Sequence, residues 1–347
     1  MRPTLKVVAP GTHTTVQDLG RFGYQNLGVP VSGALDSLSL RIANLLVGNP
    51  QGTPVLEILY QGPTLEVHAE SVRVALTGSD AGLEIPGQGS GLTASWRSLC
   101  LRRGETLRIP TLEDSACAYL AVAGGFALEP CLGSVSTYVR GGIGGYRGRA
   151  LQHGDALPLQ VAEAPPRGER RMRLPPRRPG CPTLKVVLGP QRDYFTDAAV
   201  DALLESVYVV SAESDRMGMR LKGPRLEHRD NYNLISDALP LGAIQVPGSG
   251  QPILLLNDRQ TTGGYPKIAT VASADCWLAG RARPGDVMRF RAVSVEEAER
   301  SRREQEARLR VLENTALVPA SPTPTGLDLE ALYRENLVSG LWHGDDA

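Results

Sequence analysis

Leu5-Lys6-Val7-Val8 returns 179 residues later as Leu184-Lys185-Val186-Val187, and this recurrence decides the fold. Three further pairs follow it in the same order. Gly62-Pro63 with Leu65-Glu66 corresponds to Gly223-Pro224 with Leu226-Glu227, at an offset of 161. Ile109-Pro110 leads through an apolar run to Gly124-Gly125-Phe126, and Val246-Pro247 leads likewise to Gly263-Gly264-Tyr265, at offsets of 137 to 139. His153-Gly154-Asp155 corresponds to Pro284-Gly285-Asp286, at an offset of 131. One Gly-Pro or Gly-Asp turn means little, but four pairs in order indicate an internal duplication. The shrinking offsets give the second half shorter connections.

The length of 347 residues accommodates two domains. Short apolar runs bounded by turn residues read as strands: Leu5 to Val8, Val72 to Leu76, Ala118 to Val122, Tyr208 to Val210 and Ile253 to Leu256. The 38 glycines and 26 prolines suit many strands joined by tight turns. Helices are expected over Leu35 to Leu46, from apolar Leu38, Ile42, Leu45 and Leu46, and over Asp197 to Leu204. The predicted class is therefore mainly β with a few helices, in two related barrel-like or sandwich-like domains. The first covers 1–165. An Arg/Pro-rich stretch, 166–182, reads as a solvated linker or long surface loop. The second covers 183–293. Residues 294–347 form a helical appendage and tail, with a strong helix former from Val295 to Leu312 and a shorter helix over Leu327 to Leu337.

Composition narrows the function. Lys plus Arg equals Asp plus Glu at 37 each, so no general attraction to nucleic acid or to an anionic membrane is expected. No apolar run reaches the 18 residues a membrane helix needs. The five cysteines show no metal-ligand spacing and read as reduced, mostly buried thiols of a cytoplasmic protein; no metal site is expected. The five histidines are scattered and read as surface or turn residues, and no hydrolase triad motif or HExxH is present.

Three polar motifs stand out. The first runs from Thr14-Thr15-Val16-Gln17-Asp18-Leu19-Gly20-Arg21 to Ser32-Gly33-Ala34-Leu35-Asp36. Its glycines can gather backbone N–H groups for an anion, with Arg21 as a fixed cation. It reads equally as turns, with Ser32 capping the helix near Leu35. The second, Ser214-Asp215-Arg216-Met217-Gly218, is a solvated charged turn or an Asp215–Arg216 pair aimed at a substrate carboxylate. The third is Asn257-Asp258-Arg259-Gln260-Thr261-Thr262-Gly263-Gly264-Tyr265-Pro266-Lys267. It follows a buried strand and places an acid, a hydroxyl and a cation within ten residues. Gly263-Gly264 permits positive φ and close approach of a ligand. A polar hairpin is the alternative.

Thr14 to Pro50, Asp215 to Leu221 and Gly242 to Val271, with the string DRQTTGGYPKIA, together resemble the biotin-dependent carboxyltransferase-like family, also called the allophanate hydrolase subunit 2 or KipA family. The resemblance covers about residues 5 to 293. It implies cyclophilin-like β-barrels for the two domains. It also implies membership of a 5-oxoprolinase-type complex that opens a small-molecule lactam or amide with ATP and Mg²⁺, beside a KipI-like B subunit and a LamB/YcsF-like A subunit. Alternatives within the family are a carboxyltransferase acting on urea or a related amide, with biotin on a separate carrier, and a KipA-like regulator that binds a KipI-like kinase inhibitor. Placed on the matching motifs, Asp258, Lys267 and Asp36 are the catalytic candidates. Gln17, Arg21, Ser32, Asp215, Arg216, Arg259, Gln260, Thr261, Thr262, Gly263, Gly264 and Tyr265 are the substrate- or phosphate-binding candidates.

Overall fold

The computed structural model describes residues 2–86 and 92–320. The expected helix Leu327 to Leu337 lies outside these residues. The chain is mostly β, with four helices among the described residues: α1 (Ser37–Val47), α2 (Asp197–Glu205), α3 (Cys276–Gly280) and α4 (Val295–Thr315). No described helix is long and apolar enough to cross a membrane.

In the first half, strands 106–108, 64–67, 4–9 and 156–158 form a four-stranded sheet, in that order. Strands 13–17, 55–59, 117–122, 71–77 and 98–102 form a five-stranded one. In the second half, seven strands close into a barrel in the order 183–188, 267–271, 243–245, 253–255, 218–222, 208–210 and 287–292. Leu5 and Val7 point into the first core, and Leu184 and Val186 into the second, all fully buried. The repeated LKVV thus performs the same task twice, since alternate strand residues share a face. The first strand of each half also pairs with the last, but antiparallel in the first half and parallel in the second. Closure of the barrel accompanies that change of sense.

The strand Cys117–Val122 is buried on every residue because both of its faces are covered. Ala118, Leu120 and Val122 face the core between the two sheets. Cys117, Tyr119 and Ala121 face a second core that runs through α1 into the barrel. Val55 and Ala75 face the same way. On the strands 55–59, 117–122 and 71–77 the odd-numbered positions therefore turn away from the inter-sheet core, toward α1 and the other half. A polar residue at such a position meets other protein groups, not water.

α1 starts at Asp36, whose carboxylate accepts from Ser39 N at 2.9 Å, and ends at Gly48 in the left-handed conformation. Ser32 is therefore not the cap. It is fully buried four residues earlier, at φ 54°. α4 begins with a capping sequence, Ser294-Val295-Glu296-Glu297, in which Ser294 accepts from Glu297 N. Leu309 and Leu312 bury one stripe of α4, and Glu306 clasps Arg41 of α1 through two bonds of 2.7 and 2.8 Å.

Two expectations are corrected here. The 166–182 stretch is a surface loop, exposed or half-buried up to Cys181, and it is pinned at several points instead of running free as a linker. Arg170–Met172 pairs with Leu317–Pro319, Arg73 binds Glu169, and Arg167 and Arg170 both reach Glu313. Its arginines find carbonyls and carboxylates, some of them exposed, that the composition alone does not disclose. The cysteines are all free, but only Cys117 is buried; Cys100 and Cys181 are exposed.

Candidate functional site

The seam between the halves is held by ions. Glu57 stands between Leu56 and Ile58 on the strand Val55–Leu59, at an odd position, and so faces the barrel. Arg216 comes from the loop before the strand Gly218–Lys222, and Asp258 from the loop after Ile253–Leu255. Arg216 donates to Asp258 at 2.8 and 3.1 Å, to the Gly33 carbonyl at 2.7 Å, and to Glu57. The second Glu57 oxygen accepts from Leu35 N and from the Tyr119 hydroxyl, both at 2.8 Å. That hydroxyl in turn accepts from Asp36 N at 2.7 Å. Burial, then the neighbouring Cys117 and Glu57, push the Tyr119 phenol up, so it remains a donor. Burial opposes the charge on Arg216, but Glu57 and Asp258 outweigh it and fix the guanidinium as a cation.

Two neighbouring chambers open along this seam. The inner one, about 350 Å³, is lined by His13, Arg216 and Asp258 with apolar residues from both halves, among them Leu35, Leu59 and Leu256. The outer one, about 530 Å³, sits at the barrel mouth, lined by Leu239, Gln245, Ile253, Leu255, Gln260 and the Gly263–Tyr265 turn. Arg140, Ser214, Asp215 and Met217 line both, so the loop 214–217 forms the partition between them. Arg140 pairs with Asp215 at 3.1 Å on that partition.

The sequence candidates separate into three places. Asp215, Arg216, Asp258, Gln260, Gly263, Gly264 and Tyr265 reach the chambers. Gly263 and Gly264 do so without positive φ. At Gly263 the need is space: a Cβ would lie 2.9 Å from Leu239 Cδ1 and 3.0 Å from Gln245 Nε2.

Thr261, Thr262, Arg259 and Lys267 stand behind the outer wall. Thr262 pairs with Ala238 in a short ribbon, and the Thr261 carbonyl accepts from Leu239 N. Arg259 is buried and donates to the Leu239 and Leu256 carbonyls; burial lowers its pKa. The buried Lys267 ammonium donates to Asp237 at 2.7 Å and to the Ala238 carbonyl at 3.3 Å.

Gln17, Arg21, Ser32 and Asp36 lie inside the first half, fully buried and outside both chambers. Arg21 donates to the carbonyls of Cys131, Ser134 and Ser136, and Gln17 to that of Thr137. They hold the 131–137 loop, next to Arg140, against the sheet. Asp36, its carboxyl pushed up by burial, caps α1.

Glu57, Tyr119, Gln245, Arg140 and His13 are the residues that sequence reasoning missed. A lone Glu inside the apolar Val55–Leu59 was the available signal for the first. His13, read as a surface or turn histidine, instead lines the inner chamber. Burial, then Arg216, lower its pKa from the ordinary 6.5. In an NMR titration His13 is therefore expected to take up its proton below pH 6.5. Because the folded state resists this proton, acidification from 6.5 toward the folded value removes stability. Protonation at or above 6.5 would place His13 in water instead.

The sequence model of the carboxyltransferase domain, subdomains A and B, matches residues 27–292. The C subunit of the Escherichia coli 5-oxoprolinase is 39% identical over 305 residues, which span 87% of this chain and 95% of that protein. The urea amidolyase of Saccharomyces cerevisiae is 32% identical over 94% of this chain and 19% of its own length. The crystal structure of the Kluyveromyces lactis urea carboxylase superimposes with a TM-score of 0.83 at 31% identity; it covers 92% of this chain, which spans 30% of that one. With a match over most of its length and a two-part architecture to go with it, the chain belongs to the carboxyltransferase-domain family of subdomains A and B.

Proposed function

We propose that this chain is the C subunit of a 5-oxoprolinase complex, which opens 5-oxo-L-proline to L-glutamate at the expense of ATP. The observation that carries the proposal is the 39% identity to the Escherichia coli C subunit over 95% of that protein's length. The urea enzymes share the same domain but only as a small part of much longer chains. The seam supports the reading chemically. Its outer chamber is large enough for a five-membered lactam, with an apolar floor and a few polar groups, as small-ligand sites have.

The nucleotide belongs elsewhere in this proposal. Among the described residues no group of three or more His, Cys, Asp or Glu side chains gathers as a cation site. The two arginines of the outer chamber each face a carboxylate, Arg140 with Asp215 and Arg220 with Glu213. Charges already shared with carboxylates in this way offer little to a magnesium triphosphate. ATP and Mg²⁺ are accordingly assigned to the partners, a KipI-like B subunit and a LamB/YcsF-like A subunit. This chain's own contribution is to hold the lactam, exclude bulk water and keep the fixed charges of Arg216 and Asp258 close by.

Reconstitution tests this. Glutamate release should require ATP, 5-oxo-L-proline, this chain and both partners together. Absence of turnover from a folded, assembled complex overturns the proposal. Assembly without turnover of any amide would instead indicate a regulatory, KipA-like role. The likeness to the urea carboxylase favours one second reading, carboxyl transfer from carboxybiotin on a separate carrier to urea or a related amide. Labelled carboxybiotin that transfers its carboxyl group to urea would establish it.

A further inference from the structure

Gln245 ends the short strand Ala243–Gln245, where the pairing register slips from Ala269 to Lys267. Such an irregularity redirects a side chain, and Gln245 lines the outer chamber while only 6% exposed. Its Nε2 donates to the Tyr265 carbonyl at 3.2 Å. A carbonyl can only accept, so this bond fixes which end of the amide carries nitrogen. The Oε1 oxygen is left without a donor among the described residues, and it is not among the sealed, unpartnered atoms of the interior. It is a fixed acceptor on the wall of a mostly apolar chamber. Gly263 leaves room for the arrangement, since a Cβ there would press on the Gln245 amide at 3.0 Å.

We infer that the outer chamber is a subsite for a small cyclic amide carrying one carboxylate, and that Gln245 is the residue that reads its ring N–H. The inference rests on the lactam reading above and assigns it a place and a specificity determinant. The ring N–H donates to Gln245 Oε1. The ring carbons lie on Leu239, Ile253 and Leu255, and the carboxylate reaches Arg140 or Arg220 at the rim. Both arginines sit in exposed, weakly held pairs with Asp215 and Glu213, from which either can turn to the ligand carboxylate.

Met217 lines the same chamber and serves as the reporter. The full-length chain, free and in the reconstituted complex, is labelled with methyl-¹³C methionine and titrated with 5-oxo-L-proline and with N-methyl-5-oxo-L-proline. The lactam should shift the Met217 resonance. The N-methyl analogue, which cannot donate, should bind about tenfold more weakly or worse, the size of one lost hydrogen bond. Gln245→Leu should weaken the lactam by a similar factor and bring the two ligands to equal affinity. A silent Met217, equal affinities in the unaltered chain, or a Gln245→Leu chain that keeps the N–H preference overturns the inference. The comparison of ligands on the unaltered chain decides the matter even if the variant misfolds. The two proposals fail separately. Lactam binding at Met217 with no turnover by the complex removes the 5-oxoprolinase function and leaves the subsite. Turnover whose KM is unmoved by Gln245→Leu removes the subsite and leaves the function.

Discussion

Arg216→Ala is expected to destabilise the protein by about 3–5 kcal/mol, the cost of stranding buried carboxylates without their cation. Glu57 and Asp258 are 1% and 6% exposed, and both meet at this one guanidinium. The deletion leaves two nearly buried negative charges without their cation beside the inner chamber. The midpoint of chemical denaturation should fall accordingly. A triple change, Arg216→Met with Glu57→Gln and Asp258→Asn, should recover part of the loss, because it removes the charges together. A loss of only about 1 kcal/mol in the single variant would class the cluster with exposed ion pairs and show that water enters the seam.

Lys267→Met should raise the KM for the lactam about tenfold, on the scale of one charged hydrogen bond lost from the support of a binding wall, and change kcat far less. Its ammonium lies behind the outer chamber and pins the ribbon of Asp237–Ala238 and Thr262–Gly263, one residue from Leu239 of the wall. Lys267 acts here as a positioning residue. Faster amide exchange at Ala238 and Leu239 in the variant would report the loosened ribbon independently of turnover. A collapse of kcat at constant KM would instead make Lys267 a catalytic cation. The hydrogen bond from Lys267 holds the Asp237 carboxyl below its ordinary 3.8. The sign follows: the pair supports the ribbon above pH 3.8 and loses that support as the pH falls through the lowered value.

Much of this architecture was legible in the order of residues. LKVV marked the inward strand of each half, and Leu38, Ile42, Leu45 and Leu46 marked the buried face of α1. The DRQTTGGY string supplied a wall of one chamber and the acid of the other. What the sequence withheld was direction. Thr14, Gln17, Arg21 and Ser32 have the composition of a binding loop, yet Gln17 and Arg21 spend their donors on the backbone of a loop more than 100 residues away. Glu57 and Gln245 look like the outward polar members of alternating strands. They face inward because another part of the chain covers that side, and strand alternation alone cannot tell a covered face from a wet one. The pinning of 166–182 was hidden for the same reason: an arginine reads as solvated until its carboxylate appears.

The ribbon that joins Arg170–Met172 to Leu317–Pro319 has a consequence for how the molecule bears tension. It fastens the way into the barrel to the way out of it, beside the shared core and the ion cluster that already join the two halves. The two ends of the barrel segment are thereby held side by side, so tension on either connecting stretch falls first on this ribbon and not on the barrel strands.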